Sequence, residues 1–295
     1  MRTLIKHLSI FVAAALLSST ASAEDQKTSV QPVTDNIYML MGKGGNIGVM
    51  VGKDGTFAID DQYAPQTPAI LEAIESVGGD APTYVINTHF HGDHTGGNEN
   101  LGEGGALILA HDNVRKRLVE GYQIPAFNMV VSPAKPVALP VVTFNDELAL
   151  HINGDELRAH FVANAHTDGD SIIRFKKANV IHAGDTFFNG FYPFIDVRHG
   201  GTLKGAIAAA DAILAMSDDD TKIIPGHGPL ATKQDMQVYR AMLATAFERL
   251  SKLKAEGKSM MEAQAAKPLA DLQEKWGGVM FDSNTWISLI YAGLE

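Results

Sequence analysis

The chain has 295 residues, no cysteine, and 34 acidic against 24 basic side chains, for a formal net charge of −10. That acidic balance argues against a nucleic-acid groove, and the lack of cysteine excludes a disulfide framework as the source of stability. With 45% apolar residues, the chain can instead build an ordinary hydrophobic core.

At the start, Arg2 and Lys6 precede the apolar run Leu8 to Leu17, and Ala21, Ser22 and Ala23 lead into the charged Glu24 and Asp25. A basic start, a short apolar centre and a small-x-small site predict a secretory signal peptide over residues 1–23. The run is short for a membrane anchor, and no later stretch is long and apolar enough to span a bilayer. The mature chain, residues 24–295, is expected to be one soluble domain, periplasmic or secreted. Without Arg2 and Lys6 its net charge is about −12.

A polar lead-in, expected to be mobile, precedes paired strands at 36–41 and 47–51, joined through Gly42, Gly44 and Gly45. Lys53-Asp54-Gly55 is a turn signal and 56–60 a third strand, closed by Asp60 and Asp61. Ile70, Leu71, Ile74 and Val77 fall at helical spacing within 65–77, and Gly78-Gly79 ends that helix. The β-branched and aromatic run 83–87 reads as a buried strand.

Directly after it comes Thr88-His89-Phe90-His91-Gly92-Asp93-His94-Thr95-Gly96-Gly97-Asn98, with three imidazoles and a carboxylate in six consecutive residues. Gly92, Gly96 and Gly97 are expected to break regular structure, placing the cluster on a loop at the strand's end. In extended backbone His89 and His91 point the same way, so both can reach one cation, while Asp93 and His94 fall where they can be aimed at a second.

Beyond it, 106–110 reads as a strand and 112–120 as a helix capped by Asp112, with His111 at their junction as a structural histidine. Residues 121–140 have little periodicity, fitting either a lid or a packed connection. Alternating apolar residues at 148–152 and 157–161 around Asn153-Gly154 predict a two-residue hairpin, with His151 and His160 on its polar side. His166 then stands on the turn after a strand. Strands at 171–175 and 179–183 follow, the second running into Asp185. Helix 203–216 and strand 222–224 precede the turn Pro225-Gly226-His227-Gly228-Pro229. The tail reads as helices at 233–256, 259–266 and 283–294. Each candidate ligand follows a predicted strand, the way a rigid scaffold gathers ligands from distant sequence.

His-x-His-x-Asp-His, followed in order by His166, Asp185 and His227, resembles the metallo-β-lactamase superfamily. That resemblance implies an α/β fold: a four-layer αββα sandwich of two mixed β-sheets flanked by helices, with metals at one edge. Carried over position by position, His89, His91 and His166 would hold one zinc ion and Asp93, His94 and His227 a second. Asp185 would bridge them, giving two zincs per chain, and Asp60 would either stand behind the metals or serve as a cap. Three neutral imidazoles leave a zinc position open for water, and two cations sharing that water would supply hydroxide against an amide, ester or thioester carbonyl. Asp93 would orient it and pass its proton to the departing atom.

His91 stands where flavin-linked di-iron relatives have an acidic residue, which favours a zinc hydrolase. The absence of cysteine excludes the β-lactamase subclass that binds its second zinc through one. Asp185 departs from the subclass that shares Asp93 and His94 but lacks an acidic bridge. With export, the resemblance points first to a β-lactamase-like enzyme acting on a small molecule. The alternatives are a lactonase or thioesterase-type hydrolase, or a metal-binding accessory protein of periplasmic cofactor metabolism. Phe188 and Tyr192, in the aromatic run 187–194, are candidates for the substrate-pocket wall, the other reading being a plug between the two halves. Arg198 and His199 are expected to be solvated.

Overall fold

The computed structural model describes residues 27–294, so the signal-peptide expectation lies outside the described residues. In chain order the strands of the first half are β1 (Ser29–Pro32), β2 (Ile37–Met41), β3 (Ile47–Met50), β4 (Phe57–Ile59), β5 (Tyr84–Asn87), β6 (Leu107–His111), β7 (Tyr122–Ile124), β8 (Met129–Val131) and β9 (Val142–Phe144). The second half supplies β10 (Glu147–Ile152), β11 (Asp155–Phe161), β12 (Ser171–Phe175), β13 (Val180–His182), β14 (Lys222–Ile224) and β15 (Ala231–Thr232). They form a seven-stranded sheet in the order β1-β2-β3-β4-β5-β6-β9, a six-stranded sheet running β10 to β15, and a separate β7-β8 hairpin.

Both large sheets are mixed. The first is antiparallel from β1 to β4 and parallel from β4 through β5 and β6 to β9. The second is antiparallel except where β13 and β14 run parallel. Met39, Phe57, Ile86, Leu157, Ile173 and Phe175 interdigitate between the sheets. Helix α1 (Thr67–Glu75) covers the outer face of the first sheet, its Ile70 and Ile74 meeting Leu40, Val49 and Val85. On the outer face of the second lie α5 (Leu203–Met216) and α6 (Lys233–Ala255). Four layers result, because each sheet has two apolar faces to bury and its alternating side chains serve both.

Several expectations are corrected. The lead-in is not loose: β1 pairs with β2 in four-residue register as the sheet's edge. The cluster 88–98 is not irregular, since Gly92–Thr95 forms one helical turn, α2, and Asn98–Glu103 a second short helix, α3. Its glycines allow close approach rather than breaking the chain; a Cβ on Gly97 would lie 2.7 Å from Asp61 O. Helix α4 (Asp112–Glu120) is capped by His111, which accepts from Asn113 N, and not by Asp112. The aperiodic stretch 121–140 contains the β7-β8 hairpin. Asn153 and Gly154 turn as expected, with φ of 53° and 76°. The tail holds α7 (Met260–Ala265), an unanticipated α8 (Gln273–Trp276), and α9 (Ser283–Ile290). Among the described residues no helix is long and apolar enough to cross a membrane.

Candidate metal centre

All seven side chains singled out from the sequence meet at one edge of the sandwich, where β5, β11, β13 and β14 end. His89, His91, His166 and Asp185 form one group and Asp93, His94 and His227 another, with potential donor atoms in each within 4.8 Å of one another. Asp185 stands against both. Its Oδ2 lies 3.8 Å from His89 Nε2, 3.5 Å from His166 Nε2 and 3.4 Å from His227 Nε2, and its Oδ1 is 3.0 Å from His94 Nε2. Asp93 Oδ2 is 3.3 Å from His227 Nε2 and 3.6 Å from His94 Nε2.

The partner behind each ring sets its tautomer and aims its lone pair. His166 Nδ1–H donates to Phe194 O at 2.7 Å, leaving Nε2 as the acceptor atom. His91 donates from Nε2 to Asp196 Oδ2 at 3.0 Å, leaving Nδ1. Those two acceptor nitrogens then face one another at 2.8 Å. Two lone pairs so close repel unless a proton or a metal cation sits between them.

The pattern repeats. Thr88 Oγ1 donates to Asp60 Oδ2 and so receives His89 Nδ1–H at 3.1 Å, leaving His89 Nε2 buried without a hydrogen-bond partner. His94 Nδ1–H donates to Asp60 Oδ2 at 2.7 Å, turning Nε2 toward Asp185 and His227. Four imidazoles locked with lone pairs converging, beside two carboxylates, fit a pair of zinc ions as donor set and as charge.

The electrostatics agree. Burial holds His89 well below the usual range and brings His166 down to about 4, so both are neutral, as ligands must be. Burial also opposes charge on His94 and His227, but Asp185 and Asp93 override it and lift both, His227 to about 9, so a metal bound there would displace a proton from each. Against burial, the same histidines hold Asp93 down to about 2 and Asp185 well below the usual carboxylate range. The second group thus draws positive charge into itself.

Asp60 stands behind the centre rather than capping a helix, accepting also from Thr88 N at 2.7 Å. Asp196 and His199 were missed as supports: Asp196 Oδ2 receives His199 Nδ1–H at 2.6 Å as well as His91, so His199 is buried and not solvated. The signal existed, since an apolar run ending in aspartate occurs at Phe57-Ala58-Ile59-Asp60 and again at Phe194-Ile195-Asp196.

Phe188 lies against the centre, stacked on His227 with ring centroids 5.1 Å apart. Tyr192 does not. It is fully buried, stacked on Trp286 at 4.4 Å, with its hydroxyl 3.1 Å from Ser283 Oγ. The aromatic periodicity could not separate it from Phe194, whose ring is 5.9 Å from His91 and 5.8 Å from His166.

A family model described as "Metallo-beta-lactamase superfamily" matches residues 42–227. Among curated proteins, a hydroxyacylglutathione hydrolase of Polaromonas sp. is 29% identical over 146 residues, 49% of this chain and 48% of that protein. A probable metallo-hydrolase of Methanocaldococcus jannaschii is 27% identical over 206 residues, 68% of this chain and 90% of that one. The chain spans about half the length of the hydroxyacylglutathione hydrolases it matches. Among solved structures, the DIM-1 metallo-β-lactamase superposes with a TM-score of 0.61 at 18% identity, covering 75% of this chain and 98% of that one. The sec-alkylsulfatase Pisa1 of Pseudomonas sp. gives 0.68 at 18% identity, over 91% of this chain and 51% of its own. At such identities the structural likeness concerns the fold.

Proposed function

The chain belongs to the metallo-β-lactamase superfamily, and from that membership and the geometry of the centre we propose that it is an exported dinuclear zinc hydrolase of small-molecule esters or thioesters. The observation that carries this reading is Asp185, which stands against histidines of both groups at once. His89, His91 and His166 would hold one zinc, Asp93, His94 and His227 the other, and Asp185 both. Zinc ions held there acidify water and polarise an electrophilic carbonyl.

The rest falls to the chain. Asp60, Thr88, Asp196 and the Phe194 carbonyl fix the rings so that no donor has to reorganise as the reaction proceeds. Asp93 and His227 are the side chains of the centre that retain exposure, 23% and 20%, so substrate enters past them. Asp93 Oδ2 faces the histidines, and its other oxygen is free to take a proton from attacking water and return it to the leaving atom. Phe188, stacked on His227, covers one face of that ring and holds it in place.

The hydroxyacylglutathione hydrolases among the relatives support thioester or ester cleavage. Cleavage of a β-lactam amide, the first expectation from sequence, is the second reading, supported by the fold shared with β-lactamases. The test is hydrolysis of a thioester, a lactone, a phenyl ester and a chromogenic cephalosporin, each with and without chelator. Chelator-sensitive turnover of esters or thioesters supports the proposal, turnover of the cephalosporin alone moves the assignment to the β-lactamase, and metal without turnover leaves the accessory role.

A further inference from the structure

Of the strands that end the two large sheets, β1 closes on Pro32, β9 has three residues and β15 two, all of which blunt an edge. The remaining one, β10, is six residues long and contains neither proline nor lysine, the residues that ordinarily discourage pairing there. Among the described residues no strand pairs with its outer side.

The hairpin fixes which groups face outward. Its two-residue turn makes Ile152 and Asp155 a hydrogen-bonded pair, and Phe161 N donates to Asp146 O at 2.8 Å in the same phase. The alternation therefore turns the N–H and C=O of Leu148, Leu150 and Ile152 toward β11. Those of Glu147, Ala149 and His151 point to the open edge. The side chains of these three stand exposed on the sheet's outer face, while Leu148 and Leu150 lie half-buried on the inner one, against the core between the sheets.

Outward residues spaced in this way are complementary to their own copy. Two β10 strands laid antiparallel about a two-fold axis at Ala149 bring Ala149 opposite Ala149 and Glu147 opposite His151. Each facing pair is of the hydrogen-bonded type, so the register uses every outward N–H and C=O, in about six new main-chain bonds. The side chains match as well. Glu147 already accepts from His160 Nδ1 at 2.8 Å and from Arg158 Nη1 at 2.9 Å on its own sheet, and across the seam it meets the imidazole of His151 of the second copy, a further donor for its carboxylate. On the inner face Leu148 meets Leu150, which extends the burial of both. Moving the axis to either end of the strand would set Glu147 against Glu147 or His151 against His151 and leave outward amides unpaired.

We propose that β10 is an interface between two copies of this chain, which pair antiparallel about Ala149 into one continuous sheet. Because β11 runs toward the metal centre at its Phe161 end, the two centres stand toward opposite ends of the joined sheet.

Sedimentation equilibrium of the zinc-loaded protein over about a hundredfold range of concentration tests this. The expected result is a monomer–dimer equilibrium with a dissociation constant in the micromolar range, as suits an interface of limited area. Ala149→Pro removes the N–H at the axis. That N–H makes no bond to β11, so the circular dichroism spectrum is kept while the dissociation constant rises by about tenfold or more. Ala149→Lys sets like charges face to face on the axis and has the same expected effect, and it decides the matter if the proline variant does not fold. The chain has no cysteine, so Ala149→Cys reports the register: mild oxidation gives a disulfide-linked dimer, whereas Ser29→Cys, exposed on edge strand β1, gives none. A monomer at every concentration, a dimer unmoved by substitution at Ala149, or cross-linking through Ser29→Cys and not Ala149→Cys would overturn the proposal.

Discussion

Asp60 Oδ2 stands 2.7 Å from His94 Nδ1, on a residue held at a φ of 65°, a backbone region that non-glycine residues seldom enter. Three donors converge on its carboxylate, from Thr88 N, Thr88 Oγ1 and His94, so the strained backbone is offset by hydrogen bonds that aim both His89 and His94. Removing the carboxylate in Asp60→Gly relieves the strain and loses the aim. The expected outcome is a zinc affinity about 10–100-fold lower, measured by competition with a chromogenic chelator. Wild-type affinity in that variant would mean that Asp60 serves the backbone alone.

Gly45 lies so close to His94 that a Cβ there would come within 2.1 Å of the ring's Cε1. Gly45→Ala therefore pushes His94 from its place while the His89, His91 and His166 group keeps its geometry. Zinc content is expected to fall from about two to about one per chain. Two tightly held zincs in this variant would show that the loop can yield.

Much of this centre was legible in the sequence because metal ligation demands particular residue types, and those types came after strands in the expected order. Asp60 was legible only as one of two readings, because a carboxylate ending a strand can equally be a cap. Asp196 and His199 escaped: the apolar run ending in Asp196 repeats the one ending in Asp60, but nothing in it says that the loop folds back beneath His91. Tyr192 and Phe194 are two residues apart in one aromatic run. Which faces the centre and which faces Trp286 is decided by the tertiary path of α9, whose Trp286 Nε1 donates to Pro193 O at 2.7 Å. The glycines of the ligand segment misled for a related reason: they are needed for backbone contacts across the fold rather than for local conformation.

Asp196 predicts a graded effect. It accepts from His91 Nε2 and His199 Nδ1 together, and those partners hold its carboxyl below the usual range despite burial. Asp196→Ala leaves His91 free to rotate but does not remove it. Zinc affinity is expected to drop by about tenfold or more, less than in His91→Ala, and cobalt substitution should register the altered geometry in its visible spectrum. A wild-type spectrum and affinity would contradict the role given to Asp196.

His182 predicts a pH dependence of stability. Its Nε2–H donates to Asn46 O at 3.1 Å and its Nδ1 accepts from Gly184 N at 3.2 Å, so the neutral ring is the one that fits. Burial lowers its pKa from 6.5 to about 4. Between those values the unfolded chain binds a proton that the folded chain refuses, so stability is full above about pH 6.5 and falls as the pH drops toward 4. In urea unfolding, wild type should lose about 2 kcal/mol more than His182→Gln between about pH 7 and about pH 5. Equal losses would show that His182 is not held neutral.

The account rests on seven side chains holding two zincs, and anomalous X-ray scattering at the zinc edge, from crystals of the zinc-loaded protein, tests it most directly. Two peaks are predicted, each about 2.0–2.2 Å from its ligands: one at His89, His91 and His166, the other at Asp93, His94 and His227, with Asp185 reaching both. A single peak, or zinc bound away from these residues, would contradict it.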